Sequence, residues 1–130
     1  MSYIKHKSEE SMEDYLETIL LLQKKNGHVR SIDIANELEY TKASVSVAMK
    51  SLREKDFITM AETGYITLTD SGLKKAESVL ERHTLISDWL ISLGVSEKVA
   101  KEDACRIEHD ISEETFEILK NHCLKKRNKS

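Results

Sequence analysis

Between residues 8 and 27 the chain reads SEESMEDYLETILLLQKKNG, where Met12, Tyr15, Leu16, Ile19, Leu20 and Gln23 recur at intervals of three and four. That spacing lines one face of a helix, and Gly27 ends it. Ser31 is placed to cap a short second helix, SIDIANEL, whose inward side is Ile34, Ala35 and Leu38. After EYT, Thr41 is placed to cap a third helix, KASVSVAMKSLREKDF, with Val45, Ala48 or Met49, and Leu52 at helical spacing. Two short helices joined by a tight turn, the second basic and carrying small polar residues near its start, form the pattern of a helix-turn-helix.

FITM and YITLT follow, two β-rich runs joined by AETG, with Gly64 where a hairpin needs a positive φ. Helix, turn, basic helix and hairpin in that order predict a winged helix; the competing reading is a generic α+β domain in which the basic helix is only a solvated face. From Asp70 the helical period returns. Ala76, Val79, Leu80, His83, Ile86, Leu90 and Leu93, with Trp89 beside them, make a long stripe that stops at Gly94. Ser96 is placed to cap a helix with a seam of Ala100, Ala104, Ile107 and Ile111, and Ser112 to cap a last one, SEETFEILKNHCLKK, acidic at its start and basic at its end. The expected fold is mainly α: a winged helix-turn-helix over residues 1–70, then an all-helical domain over 71–130. So much apolar helix surface in a short chain predicts that a second copy covers some of it, giving a homodimer.

Composition narrows this picture. The 130 residues contain no Pro and only four Gly, and 33% are charged, which favours helices with solvated faces over a sandwich or barrel. No run of eighteen apolar residues occurs and the N-terminus lacks the apolar centre of a signal peptide, so the reading is cytoplasmic with no membrane partner. The net charge of −3 argues against indiscriminate polyanion binding, but the charge is polarised. Residues 42–55 hold Lys42, Lys50, Arg53 and Lys55 against Glu54 alone, whereas 97–117 hold eight acidic residues against three basic ones; a basic tail, KKRNK, closes the chain.

The chemistry is concentrated in ACRIEHD. Cys105, Glu108 and His109 stand at i, i+3 and i+4, so their side chains converge about a quarter turn from the apolar seam. Thiolate sulfur, carboxylate oxygen and imidazole nitrogen together suit Mn, Fe, Co, Ni or Zn, and three ligands on one helix leave the site incomplete. Asp14 and Glu17, three apart on the first helix, form a second acidic pair, and His83 interrupts an apolar stripe. Each feature has a plainer reading: a small buried Cys, a solvated acidic face, a core histidine. Cys123 and His122, near the C-terminus, are read as structural or incidental.

With SMEDYLETI, IANELEYTKASVSVAMKSLREKDFI, GYITLTDSGLKKA, ERH and ACRIEH in these positions, the chain resembles the diphtheria toxin repressor family of metal-dependent transcriptional regulators over essentially its whole length. The resemblance implies a metal-activated repressor controlling Mn or Fe homeostasis, in a short form without the family's SH3-like domain. It implies metal ligands Asp14, Cys105, Glu108 and His109, with Glu17 and His83 available as in the manganese-responsive branch. The ligand set is a hybrid. Asp14 and Glu17 match the manganese branch, while Cys105 matches the iron-responsive branch. That branch's ancillary site expects a Glu and a His where this chain has Ser87 and Lys101. Mn(II) or Fe(II) is the expected cofactor, with Co(II), Ni(II) or Zn(II) as substitutes.

A palindromic operator in double-stranded DNA is the expected partner, read by the start of the third helix. Thr41, Ser44 and Ser46 offer hydroxyls, Lys42 and Lys50 charge, and Ala43 and Val47 apolar contact with thymine methyls, although Val47 also suits the core. No Arg stands at the front of that helix for bidentate guanine contact, so shape readout gains weight. One rival keeps the winged helix and replaces the metal with a small molecule or with oxidation of Cys105. A second is an enzyme using Cys105 and His109; no Gly-rich oxyanion or phosphate loop accompanies them, and the expectation is that the chain is not an enzyme.

Overall fold

The computed structural model describes residues 2–129, with side chains described over 11–123, so the side chains of the KKRNK tail lie outside the described residues. Six helices and one hairpin follow in the order α1 (Ser2–Asn26), α2 (Ser31–Leu38), α3 (Lys42–Glu54), β1 (Ile58–Met60), β2 (Ile66–Leu68), α4 (Asp70–Ser92), α5 (Glu97–Asp110) and α6 (Glu113–Lys129). Two compact units divide the chain, 1–78 and 79–130, with the division inside α4.

The first unit is a winged helix. Leu16 and Ile19 of α1, Ile34 of α2, Val45, Met49 and Leu52 of α3, and Ile58 and Ile66 of the hairpin are almost fully buried. Side chains of this size each contribute about 1.5–3 kcal/mol on leaving water. Of the two candidates for the buried position of α3, Met49 fills it and Ala48 is half-buried. Val47 faces solvent at 71% exposure, not the core, because it lies on the side of α3 away from Val45, Met49 and Leu52.

The end of α2 and the start of α3 set the angle between them. Glu39 takes a left-handed conformation (φ 58°) at the C-terminus of α2, and the Tyr40 N–H donates to the Ala35 carbonyl at 3.1 Å. Thr41 caps α3 as expected, accepting the Ser44 N–H at 3.1 Å. The expected Ser31 cap of α2 is corrected. Ser31 is already the first helical residue and Arg30 is the cap, with the Asp33 carboxylate accepting the Arg30 N–H at 2.9 Å. An acid at the third helical position satisfies that amide without a hydroxyl one residue later.

β1 and β2 pair antiparallel in the register Ile58↔Leu68, Thr59↔Thr67, Met60↔Ile66. Gly64 (φ 89°) makes the turn, and the Ile66 N–H donates to the Val29 carbonyl at 2.8 Å, tying the segment before α2 to the edge of β2. The strands are three residues each, shorter than FITM and YITLT, and just beyond them Thr69 still donates its N–H to the Phe57 carbonyl at 3.0 Å before α4 begins. Its hydroxyl donates to the Asp56 carbonyl at 2.6 Å and accepts the Gly72 N–H at 3.1 Å.

In the second unit Val79 and Ile86 of α4, Ala100 and Ala104 of α5 and Phe116 of α6 are buried. Ser112 caps α6, its hydroxyl accepting the Thr115 N–H at 3.1 Å. Ser96 occupies the cap position of α5 but makes no side-chain capping bond. Ile91, Leu93, Val99 and Ile118 remain exposed on the single chain. Among the described residues, no helix is long and apolar enough to cross a membrane.

Candidate functional site

Two sets of candidate functional side chains emerge, one in each unit. α5 builds the richer one. Its buried face runs Ala100, Ala104, Glu108, one residue every four, so the face that starts as a small-residue seam ends on a carboxylate. The expected seam through Ile107 and Ile111 is corrected accordingly: both are only half-buried, while Glu108 is 1% exposed. The turn after the two alanines places Glu108 in the interior.

Cys105 and His109 flank it. One donor atom from each of Cys105, Glu108 and His109 can be chosen so that all lie within 4.8 Å of one another. The His109 imidazole is 2% exposed with Nε2 3.5 Å from Glu108 Oε1. From α4, His83 brings Nδ1 to 3.8 Å from the same oxygen. Thus His83 leaves its apolar stripe to meet the acidic residue of α5. Cys105 is half-buried. Cys123 is a free, half-buried thiol, and His122 is exposed.

A carboxylate in the interior pays for lost hydration unless charge or hydrogen bonds compensate. Two imidazoles and a thiol around it supply nitrogen, sulfur and oxygen donors with the mixed hardness that divalent first-row metals accept. The donor set therefore fits such an ion. In the first unit, Asp14 and Glu17 stand one turn apart on α1 and are both half-buried. Their i, i+3 spacing presents two oxygen donors on one side of that helix.

The second set lies on α3. Thr41, Lys42, Ala43, Ser44, Ser46, Val47 and Lys50 are all exposed, whereas Val45 and Met49 between them are buried. One helix thus holds the core with one face and presents hydroxyls, ammonium groups and a large apolar side chain with the other. The Thr41 hydroxyl donates to Ser44 Oγ at 2.9 Å, so these two groups are linked to each other as well as to the α3 N-terminus.

Two arginines escaped the sequence reading. The Arg30 guanidinium lies over the exposed Tyr65 ring, 4.4 Å from its centroid, and the His28 ring is 5.0 Å from the same ring. This cationic and aromatic cluster is centred on Tyr65, the residue after the wing's turn glycine Gly64. Arg82 in α4 reaches α5 and α6 at once, donating to the Glu108 carbonyl at 3.3 Å and pairing with Glu113. Arg30 belongs to no local motif, and Arg82 lies in the ERH segment, where the sequence reading singled out His83 alone.

The description "Iron dependent repressor, N-terminal DNA binding domain" matches residues 7–66, and "Iron dependent repressor, metal binding and dimerisation domain" matches residues 69–126. An uncharacterized HTH-type transcriptional regulator of Methanocaldococcus jannaschii is 35% identical over 113 residues, covering 85% of this chain and 90% of that one. Transcriptional regulator MntR of Escherichia coli O157:H7 is 34% identical over 111 residues, covering 85% of this chain and 72% of that one. Among solved structures, the manganese regulator SloR superposes with a TM-score of 0.76 at 27% identity, over 85% of this chain and 52% of that one. The chain therefore spans about half the length of that solved relative. With DNA-binding and metal-binding segments both matched in order, and with transcriptional regulators aligned along most of its length, the chain belongs to the iron-dependent repressor family, the diphtheria toxin repressor family of metal-dependent transcriptional regulators.

Proposed function

We propose that this chain is a transcriptional repressor of metal-homeostasis genes in the cytoplasm, activated by a divalent transition metal, Mn(II) or Fe(II), and acting as a homodimer on a palindromic operator. The observation that carries the reading is the buried Glu108, 1% exposed, between the donors of His83, Cys105 and His109. In this reading residues 1–70 bind DNA and 71–130 bind metal and dimerise. Asp14 and Glu17 supply the oxygen donors that three ligands on one helix lack. A bound cation supplies the positive charge that offsets these carboxylates and the thiolate.

The protein's own groups do the rest. Carboxylates gathered without a counter-charge repel one another, so the ligand-bearing helices hold together less firmly before loading. Loading requires that Cys105 give up its proton, which makes affinity fall as pH falls. The exposed apolar side chains Ile91, Leu93, Val99 and Ile118 favour pairing with a second copy. A two-fold dimer reads a palindrome only when its two reading helices match successive major grooves, about 34 Å apart. Fixing α1 relative to the dimer axis therefore selects the DNA-competent spacing. On α3, Lys42 and Lys50 supply phosphate contacts, Thr41, Ser44 and Ser46 supply hydroxyls, and Ala43 and Val47 supply contacts to thymine methyls. Arg30, stacked on Tyr65, adds a cation beside the wing.

The test is anaerobic binding to a duplex selected from a random pool, measured in chelator and in Mn(II), Fe(II), Co(II) and Zn(II). Tighter binding with metal is expected, and its order among the ions identifies the effector. Equal affinity in chelator and in saturating Mn(II) or Fe(II) would overturn the switch and favour a metal-independent regulator working through Cys105.

A further inference from the structure

Arg82 is not a metal ligand, yet it is built into the ligand helix. Its side chain is 14% exposed and lies over the Phe116 ring, 5.2 Å from the centroid. The two terminal nitrogens of its fork go to different elements. Nη1 donates to the Glu108 carbonyl at 3.3 Å, and Nη2 pairs with the Glu113 carboxylate in the first turn of α6.

That carbonyl is one that a helix by itself leaves without a donor. α5 ends at Asp110 and the backbone is extended at Ile111 (φ −92°, ψ 152°). The last intrahelical bond runs from the Ile111 N–H to the Ile107 carbonyl at 3.2 Å, so Glu108 falls among the terminal carbonyls that need an outside partner. Arg82 is that partner. The next residue of α4, His83, faces the carboxylate of the same Glu108 at 3.8 Å. Two consecutive residues of α4 therefore address Glu108 at its backbone and at its side chain. The final turn of α5, which is also the turn most prone to fray, carries Glu108 and His109.

We infer that Arg82 is a positioning residue for metal binding: by gripping the corner between α5 and α6 it holds the Glu108–His109 turn in ligand register before the ion arrives. The inference rests on the metal reading above. Groups that orient ligands without touching the metal commonly change affinity about 10- to 100-fold when removed. A lysine has the charge but not the planar fork, so it reaches one acceptor and not both.

The experiment uses the full chain and Co(II), titrated by the thiolate-to-cobalt absorption that Cys105 ligation produces. Arg82→Met should weaken Co(II) binding about ten-fold or more, with helical content and dimerisation unchanged, and Arg82→Lys should recover part of the loss. A second readout separates positioning from general stability. In the metal-free variant, amide hydrogen exchange should quicken at residues 107–111 while the middle of α4 keeps its protection. Should Arg82→Met fail to fold, Arg82→Lys and Glu113→Gln take its place with the same two readouts. Variants that fold and bind Co(II) within two-fold of the parent, or whose exchange rises uniformly, overturn the inference. A parent chain that binds no Co(II) would remove the metal reading and this inference together; a parent that binds alongside unaffected variants removes the inference alone.

Discussion

Glu108→Gln should abolish most of the stabilisation that metal gives the parent. Glu108 is 1% exposed, with His109 and His83 nitrogens at 3.5 and 3.8 Å from its Oε1. With metal at 100 times its dissociation constant, the parent gains about 2.7 kcal/mol. Loss of a carboxylate ligand should weaken binding at least as much as the roughly 100-fold that loss of an outer-shell partner can cost. That leaves the variant a gain of only about 0.4 kcal/mol at the same metal concentration. Urea melts of both proteins, with chelator and with Mn(II), should show this difference in metal-dependent stability. A variant still stabilised in full by Mn(II) would refute the reasoning: Glu108 would then be a structural carboxylate that does not hold the ion.

Three further outcomes follow from single residues. Lys50→Gln should weaken binding to all duplexes alike and reduce the slope of log affinity against log salt by about 0.9, the contribution of one phosphate; an unchanged slope places Lys50 off the DNA. Gly72→Ala should destabilise the first unit by about 2 kcal/mol or more, because the added Cβ would lie 1.9 Å from the Phe57 carbonyl oxygen; an unmoved urea midpoint would contradict it. Burial, with Tyr40 second, pushes the Tyr15 phenol above its ordinary range. The folded state therefore holds that proton more tightly, and the associated stability is present in full below about pH 10 and lost as pH climbs through the raised value. Tyr15→Phe should flatten the fall in stability above about pH 10, and melts carried into that alkaline range check it.

The order of elements and the clustering of Cys105, Glu108 and His109 on one helix were legible in the sequence because both depend on local spacing. The period of 3.6 set the helices, Thr41 marked the start of α3 and Gly64 the wing turn, each through bonds spanning three or four residues. Cys105, Glu108 and His109 share a face of α5 by spacing alone. The resemblance to metal-dependent regulators added Asp14, which composition and period would have left on a solvated face.

Tertiary structure decided what spacing leaves degenerate. Val47 and Met49 are both apolar and two residues apart on one helix, and only packing against the rest of the winged helix turns Met49 inward and Val47 outward. Ser31 read as the cap of α2, and the Asp33 carboxylate folding back onto the Arg30 amide puts the cap one residue earlier, at Arg30. Sequence period put Ile107 in the buried seam of α5, but that place belongs to Glu108, with Arg82 and His83 of α4 meeting its backbone and its carboxylate. Those meetings join residues more than twenty positions apart, and no local period encodes them. A helix fixes which side chains share a face; only the neighbours it packs against decide which face is buried, and so which carboxylate is placed to hold a metal.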